Sequence, residues 1–202
     1  LYRHFGHGFY CIGLPVLSGL QALKDAGMEK EHGQLLADFI RTGDVFIANG
    51  SDYPKHEVNY EQSIVAPAIC FLAQLYLATK DSKYLDEVRR QMPVLEAFNG
   101  FQPSFHLNDV AIRHWDGYWF GKREMFGDTF PHYWSTLTGA AYYYYALCTG
   151  NEGYRRRARN VVRNNLCLFS EDGRASCAYL YPYKVDGIKG RFYDPYANDQ
   201  DW

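Results

Sequence analysis

Leu77-Ala78-Thr79-Lys80-Asp81-Ser82-Lys83-Tyr84 and, 70 residues further on, Leu147-Cys148-Thr149-Gly150-Asn151-Glu152-Gly153-Tyr154 align letter by letter. Each stretch closes an apolar run and opens an amphipathic one. Upstream of the first lies residues 60–78, apolar nearly all round (IVAPAICFLAQLYLA), and upstream of the second lies residues 133–148 (YWSTLTGAAYYYYALC). A helix with no polar face must be buried on every side. Downstream, residues 83–98 repeat apolar side chains at helical spacing through Tyr84, Val88, Met92 and Leu95, with Pro93 expected to kink or split the helix. Residues 154–166 set Tyr154, Ala158, Val161 and Val162 on one face against an arginine-rich solvent face. The two stretches are therefore short turns between a buried helix and an amphipathic one.

The N-terminal part has the same plan. Residues 9–23 form an apolar helix with Pro15 near its first turns, where a missing N–H costs nothing. A turn at 24–28 leads to a helix from Glu29 to about Phe46, with Leu35, Leu36, Phe39 and Ile40 on one face. Three hairpins repeating every 50 to 70 residues or so indicate a stacked or closed array of αα units, with a spacing too long for a tetratricopeptide. Near the C-terminus, residues 176–185 and 190–193 alternate around Asp186-Gly187 and read as a β-hairpin. Asn198 to Trp202 resembles the N-cap of a fourth buried helix. The expectation is one mainly α domain spanning 1–202, a fragment of a larger one.

Turn lengths are asymmetric. Connections from buried to amphipathic helices are short, whereas those leading back into buried helices, residues 1–7, 48–59, 99–132 and 171–202, are long and chemically rich. Function is expected at the end of the array where they converge on helix N-termini, which favour anions. The richest stretch is Arg113 to Trp134, RHWDGYWFGKREMFGDTFPHYW. Its histidines, tryptophans and basic residues are binding-site chemistry on a loop.

Composition narrows the ligand. A net charge of −2 lacks the basic excess that nucleic acid requires. Aromatic residues make up 17% of the chain, with 18 tyrosines, and their flat faces with polar tips suit sugar rings. No apolar run is long enough for a membrane span. The five cysteines lack regular spacing, and Cys11, Cys70 and Cys148 fall inside apolar helical runs, as buried thiols do. Localisation is not legible: secretion or the periplasm would follow from a signal peptide upstream, the cytoplasm otherwise.

Alternating inner and outer helices, the turns Thr79-Lys-Asp-Ser-Lys-Tyr84 and Thr149-Gly-Asn-Glu-Gly-Tyr154, and aromatic loops gathered at one rim resemble the (α/α) toroid of the six-hairpin glycosidase superfamily. That group contains glycoside hydrolases, unsaturated glucuronyl hydrolases and many polysaccharide lyases. The resemblance implies an incomplete toroid of helical hairpins with a small C-terminal β-hairpin. It also implies a carbohydrate substrate and a surface for the remainder of a parent chain or for self-association. No residue role is transferred, because no motif of one member family matches.

The candidate chemistry comes from the residues. β-Elimination at a uronic acid needs the carboxylate neutralised, the C5 proton removed and the leaving oxygen protonated. Arg113, His114, His132 and Tyr133 offer that set, with His106 and Asn108 nearby. Hydrolysis instead needs two carboxyls flanking the bond, for which Glu57, Glu61, Asp116 and Asp128 are candidates. Glu61 could equally oppose a helix dipole and Asp128 cap a helix. Trp115, Trp119 and Trp134 are placed to stack on sugars, and Lys122 to bind an anionic group.

No cofactor and no metal are expected. His4-x-x-His7 lacks a third ligand, and Asp194, Asn198, Asp199 and Asp201 lack the glycine and glutamate of a calcium loop. A phosphate-cradling glycine loop and a Gly-x-Ser-x-Gly elbow are both absent. The leading expectation is a lyase acting on an acidic polysaccharide or oligosaccharide. A glycoside hydrolase is the alternative, and a non-catalytic glycan- or protein-binding helical module the rival of another class.

Overall fold

The computed structural model describes residues 15–50, 62–96, 135–169, 171–175, 184–185 and 188–189. These are mainly helical. In order they form α1 (Val16–Asp25), α2 (Glu29–Asn49), α3 (Gln62–Thr79), α4 (Ser82–Glu96), α5 (Ser135–Thr149) and α6 (Glu152–Asn164), the last continued by a single 3-10 turn, Asn165–Leu168. Strands β1 (Lys184–Val185) and β2 (Ile188–Lys189) pair antiparallel, Lys184 with Lys189 and Val185 with Ile188, across the Asp186-Gly187 position. The β-ladder thus resumes at Ile188, two residues earlier than the sequence pattern suggests.

Helix α3 is the core. Val65, Ala66, Ala68 to Ala73 and Leu75 are all buried, as an all-round apolar pattern requires. Pro67 lies inside α3 and Pro93 inside α4, and neither breaks its helix. Pro93 therefore does not split α4. Tyr84, Leu85, Val88, Met92 and Leu95 of α4 are buried, as their spacing requires, and so are Glu87 and Gln91. Burial of the Glu87 carboxylate is compensated locally: Arg90 donates two hydrogen bonds to it (2.6 and 2.8 Å), and Gln91 Nε2 donates a third at 2.6 Å, while Gln91 Oε1 is buried without a partner among the described residues.

Leu35, Leu36, Phe39 and Ile40 of α2 pack against this core. Phe39 and Phe46 both meet the Phe71 ring edge to face, at 5.8 and 5.4 Å. Helix α2 runs to Asn49, past the sequence boundary at Phe46. Its close approach depends on Gly43, where a Cβ would stand 2.5 Å from Leu75 Cδ2 and 2.9 Å from Tyr84 Cε1. Helix α1 begins at Val16 with Pro15 as its N-cap residue, and the Pro15 carbonyl accepts the first helical bond from Gly19. Proline has no side chain to satisfy the orphan donors there. Gln74, fully buried on α3, accepts from the Leu17 N–H (3.2 Å) and donates to the Cys70 carbonyl (3.1 Å), capping α1 from another helix.

The two aligned turns match bond for bond. In the first, Lys80 N–H donates to Tyr76 O (2.7 Å), Thr79 Oγ1 donates to Leu75 O (2.8 Å), Asp81 N–H to Thr79 Oγ1 (3.2 Å) and Lys83 N–H to Asp81 Oδ1 (3.1 Å). In the second, Gly150 N–H donates to Ala146 O (2.8 Å), Thr149 Oγ1 to Tyr145 O (2.8 Å), Asn151 N–H to Thr149 Oγ1 (3.3 Å) and Gly153 N–H to Asn151 Oδ1 (2.9 Å). Threonine closes the outgoing helix and Asp or Asn caps the incoming one. The residue between takes a left-handed backbone, φ 62° at Lys80 and 71° at Gly150.

The closing tyrosine of each turn reaches back to an acid on the preceding outer helix. Tyr84 Oη donates to Asp44 at 3.3 Å, with Lys83 Nζ 2.9 Å from the same oxygen. Tyr154 Oη donates to Glu96 at 2.7 Å, with Arg157 paired to the same oxygen and its guanidinium 4.5 Å from the centre of the Tyr142 ring. A cation thus accompanies each tyrosine.

The sequence overstates burial in the last hairpin. Tyr143 and Leu147 on α5 and Val162 on α6 are exposed, although the pattern assigns them to buried faces. Val162 Cγ2 still lies 3.0 Å from where a Cβ would stand on Gly139 of α5, so part of that side chain covers the glycine while the rest stays in solvent.

Candidate active site

Helices α3 and α5 run in the same direction. The Cys70 thiol lies 3.8 Å from the Leu137 carbonyl near the start of α5, and the Cys148 thiol lies 3.5 Å from the Ala73 carbonyl. The two contacts follow the same order along both helices, which fixes their relative sense. Their N-termini therefore lie at one end. In sequence, residues 51–61 lead into α3 and residues 97–134 into α5. Each helix N-terminus presents unpaired N–H groups and partial positive charge to whatever stands before it.

The candidate residues Glu61, His106, Asn108, Arg113, His114, Trp115, Asp116, Trp119, Lys122, His132, Tyr133 and Trp134 lie outside the described residues, as do Glu57 and Asp128. The convergence of loops 48–59 and 99–132 likewise falls largely outside them. Glu61 immediately precedes the first residue of α3, and Trp134 immediately precedes the first residue of α5.

What the described residues supply is scaffold. Burial pushes the Cys70 thiol far above the ordinary thiol range and raises Cys148 to about 11, so neither is a thiolate nucleophile at neutral pH. Both are free thiols, Cys70 buried and Cys148 partly so, while Cys11 lies outside the described residues. Burial likewise raises the Tyr144 phenol, with Cys70 and Tyr143 adding smaller contributions. Gln74 caps α1, Glu87 is held by Arg90 and Gln91, and Glu96 holds Tyr154 and Arg157. Each of these polar groups has a structural task. Among the described residues no cluster of three or more His, Cys, Asp or Glu could hold a metal ion, and no helix is long and apolar enough to cross a membrane.

A solved structure named a polysaccharide lyase matches 99% of this chain at 77% sequence identity, with a TM-score of 0.76. The chain is similar to a polysaccharide lyase. It spans 30% of that protein's length. No family profile matches the chain, and no curated protein does.

Proposed function

We propose that this chain is part of a polysaccharide lyase that cleaves an acidic, uronate-containing polysaccharide or oligosaccharide by β-elimination. The observation that carries the reading is the 77% identity to a solved polysaccharide lyase across 99% of the chain. Charge and composition agree: aromatic faces for sugar rings, no basic excess for nucleic acid, and Arg113, His114, His132 and Tyr133 within one short stretch. The helical hairpins are, on this reading, an arc of an (α/α) toroid whose remaining units lie in a longer polypeptide.

In the proposed mechanism Arg113 and His114 balance the uronate carboxylate, which acidifies the C5 proton by stabilising the developing enolate. His132, three residues before the first residue of α5, takes that proton, because a nearby helix N-terminus disfavours the charged imidazolium and keeps a neutral base. Tyr133 gives a proton to the leaving glycosidic oxygen as the C4–O bond breaks. Trp115, Trp119 and Trp134 stack on the sugars, and Lys122, His106 and Asn108 hold substrate carboxylates and hydroxyls. Asp116 and Glu61 are the pair on which a hydrolytic mechanism would rest instead.

The test is His132→Ala and Tyr133→Phe in the full-length protein, with turnover followed by the ultraviolet absorbance of unsaturated uronates and melting temperature measured on the same samples. Loss of a general acid or base lowers the rate by about 10²- to 10⁴-fold at unchanged melting temperature. Full activity in His132→Ala would move the chemistry to Asp116 and Glu61, while activity lost only in proportion to unfolding would make both residues structural.

A further inference from the structure

Five of the 13 residues of α6 are arginines, and they divide by what they touch. Arg157 turns inward to Glu96 and the Tyr142 ring, and Arg155 pairs with Glu152 at 3.4 Å. Glu152 is the one acidic residue of the helix. Arg156, Arg159 and Arg163 are exposed and meet no carboxylate among the described residues. The remaining described arginines, Arg41, Arg89, Arg90 and Arg174, pair with Asp38, Asp86, Glu87 and Asp172.

Steps of three and four residues put Arg156, Arg159 and Arg163 on one face of α6. Arg155 and Arg159 stand four residues apart, as do Arg159 and Arg163, so like charges neighbour one another along the helix and oppose its formation. A solvated helix face balances such charges with acids at the same spacing, as α4 does with Asp86 and Arg89 and with Glu87 and Arg90. On α6 that balance is missing, and an anion from outside would supply it.

The stripe also has a direction. Val161 and Val162 lie against Gly139, and the Tyr154 ring meets the Tyr145 ring at 4.7 Å, so α6 runs antiparallel to α5. Arg163 therefore lies toward the end at which α5 begins, and Arg156 stands about 10 Å further from it along the helix axis. A guanidinium fork donates two parallel hydrogen bonds to a carboxylate. One small anion could meet only one or two of the three forks, whereas an acidic polysaccharide presents carboxylates in a row, as the arginines are arranged.

We propose that Arg156, Arg159 and Arg163 form a second binding site for the acidic polysaccharide, on the outward face of α6, holding uronates of the chain beyond those at the reacting bond. The identity of the anion rests on the uronate reading above, and the site itself on the unbalanced stripe. A chain laid along it leads toward the start of α5, which the residues suited to uronate chemistry precede in sequence.

In the full-length protein Arg156→Gln, Arg159→Gln and Arg163→Gln are combined. Arg41→Gln, Arg89→Gln and Arg174→Gln together remove the same charge from paired positions and serve as the matched control. Both sets are electrophoresed in the cold through gels containing polygalacturonate, a glucuronate-bearing polysaccharide or neutral dextran, and kcat and KM are measured on the acidic polymers and on a short uronate oligosaccharide. The expected result is binding of an acidic polymer weakened roughly tenfold in the stripe variant, about twofold for each exposed ion pair lost, and unchanged in the control, with no retardation by dextran. KM for the polymer rises in step, while kcat, the oligosaccharide kinetics and the melting temperature stay as in the wild type. Equal retardation of the two sets overturns the proposal, as does stronger stripe-dependent retention on DNA or on phosphatidylglycerol vesicles than on either acidic polymer. Stripe-dependent retardation without any unsaturated uronate would uphold the site and overturn the lyase reading, and lyase activity with one polymer KM in both sets would do the reverse.

Discussion

Hairpins α3–α4 and α5–α6 share a turn and differ in their surroundings. The first has α2 against one side and α5–α6 against the other, and its inner helix is buried all round. The second has α3–α4 on one side and exposes Tyr143, Leu147, Val162 and Leu166. Both inner helices are apolar in sequence, so an apolar pattern states a capacity for burial and the neighbours decide whether it is used. The turn is set locally by Thr79, Asp81, Thr149 and Asn151, and it survives the difference.

The largest expected contrast is in the inner helices. Leu72 is fully buried on α3, and Leu72→Ala should cost about 3 kcal/mol through lost burial and a residual cavity. Leu147→Ala, at an exposed position of α5, should change stability by no more than about 0.5 kcal/mol in the 202-residue chain. Urea unfolding of the two variants measures this directly. Equal losses would mean that α5 is covered as α3 is, and the contrast between the hairpins would fail.

A smaller effect separates the two tethers. Tyr154→Phe removes a 2.7 Å hydrogen bond to a carboxylate and should cost about 1.5 kcal/mol, whereas Tyr84→Phe removes one of 3.3 Å and should cost about 0.5 kcal/mol. Alkali sharpens this. Burial, then the Glu96 carboxylate, push the Tyr154 phenol from 10.0 up to about 12, and burial pushes the Cys148 thiol from 9.0 up to about 11. Both groups are neutral when protonated and hold the proton more tightly in the folded state. Their contribution is therefore complete below the unfolded values and is lost as pH rises, between about 9 and 11 for Cys148 and between about 10 and 12 for Tyr154. Denaturation midpoints against pH should flatten over the lower window in Cys148→Ala and over the upper in Tyr154→Phe. Unchanged slopes would show that neither group is linked to folding.

The smallest effect lies in the turns themselves. Lys80 carries φ 62° where Gly150 carries φ 71°. Lys80→Gly relieves a side chain from the left-handed region and should stabilise by about 0.5 kcal/mol, the full gain of about 1 kcal/mol being offset by loss of the ammonium 5.6 Å from the Tyr76 ring centre. Gly150→Ala should cost about 1 kcal/mol. A loss in Lys80→Gly would mean that the two turns are held differently despite their matching bonds.

The helices and turns were legible because their causes are local. Alternation of Thr with Asp or Asn, and apolar residues at helical spacing, specify α3 to α6 within two residues or so of their ends. Partners distant in sequence were not legible. Nothing near Gln74 shows that it caps α1, and nothing near Glu96 or Asp44 shows that each receives a tyrosine from the following hairpin. Burial of Glu87 was hidden because an acidic residue beside two arginines reads as a solvated face, although one arginine and Gln91 in fact bind it inside. At the candidate site the sequence names residue types suited to uronate chemistry, while the described structure supplies the helix starts that those residues precede.

The central claim is elimination, and the mass of its products tests it most directly. A uronate oligosaccharide of defined length is treated with the full-length protein and its fragments are weighed. The account predicts fragments whose masses sum to that of the substrate, the one carrying the new non-reducing end holding the unsaturated uronate. Fragments that together exceed the substrate by one water for each bond cut, with no unsaturated product, would contradict it and establish hydrolysis.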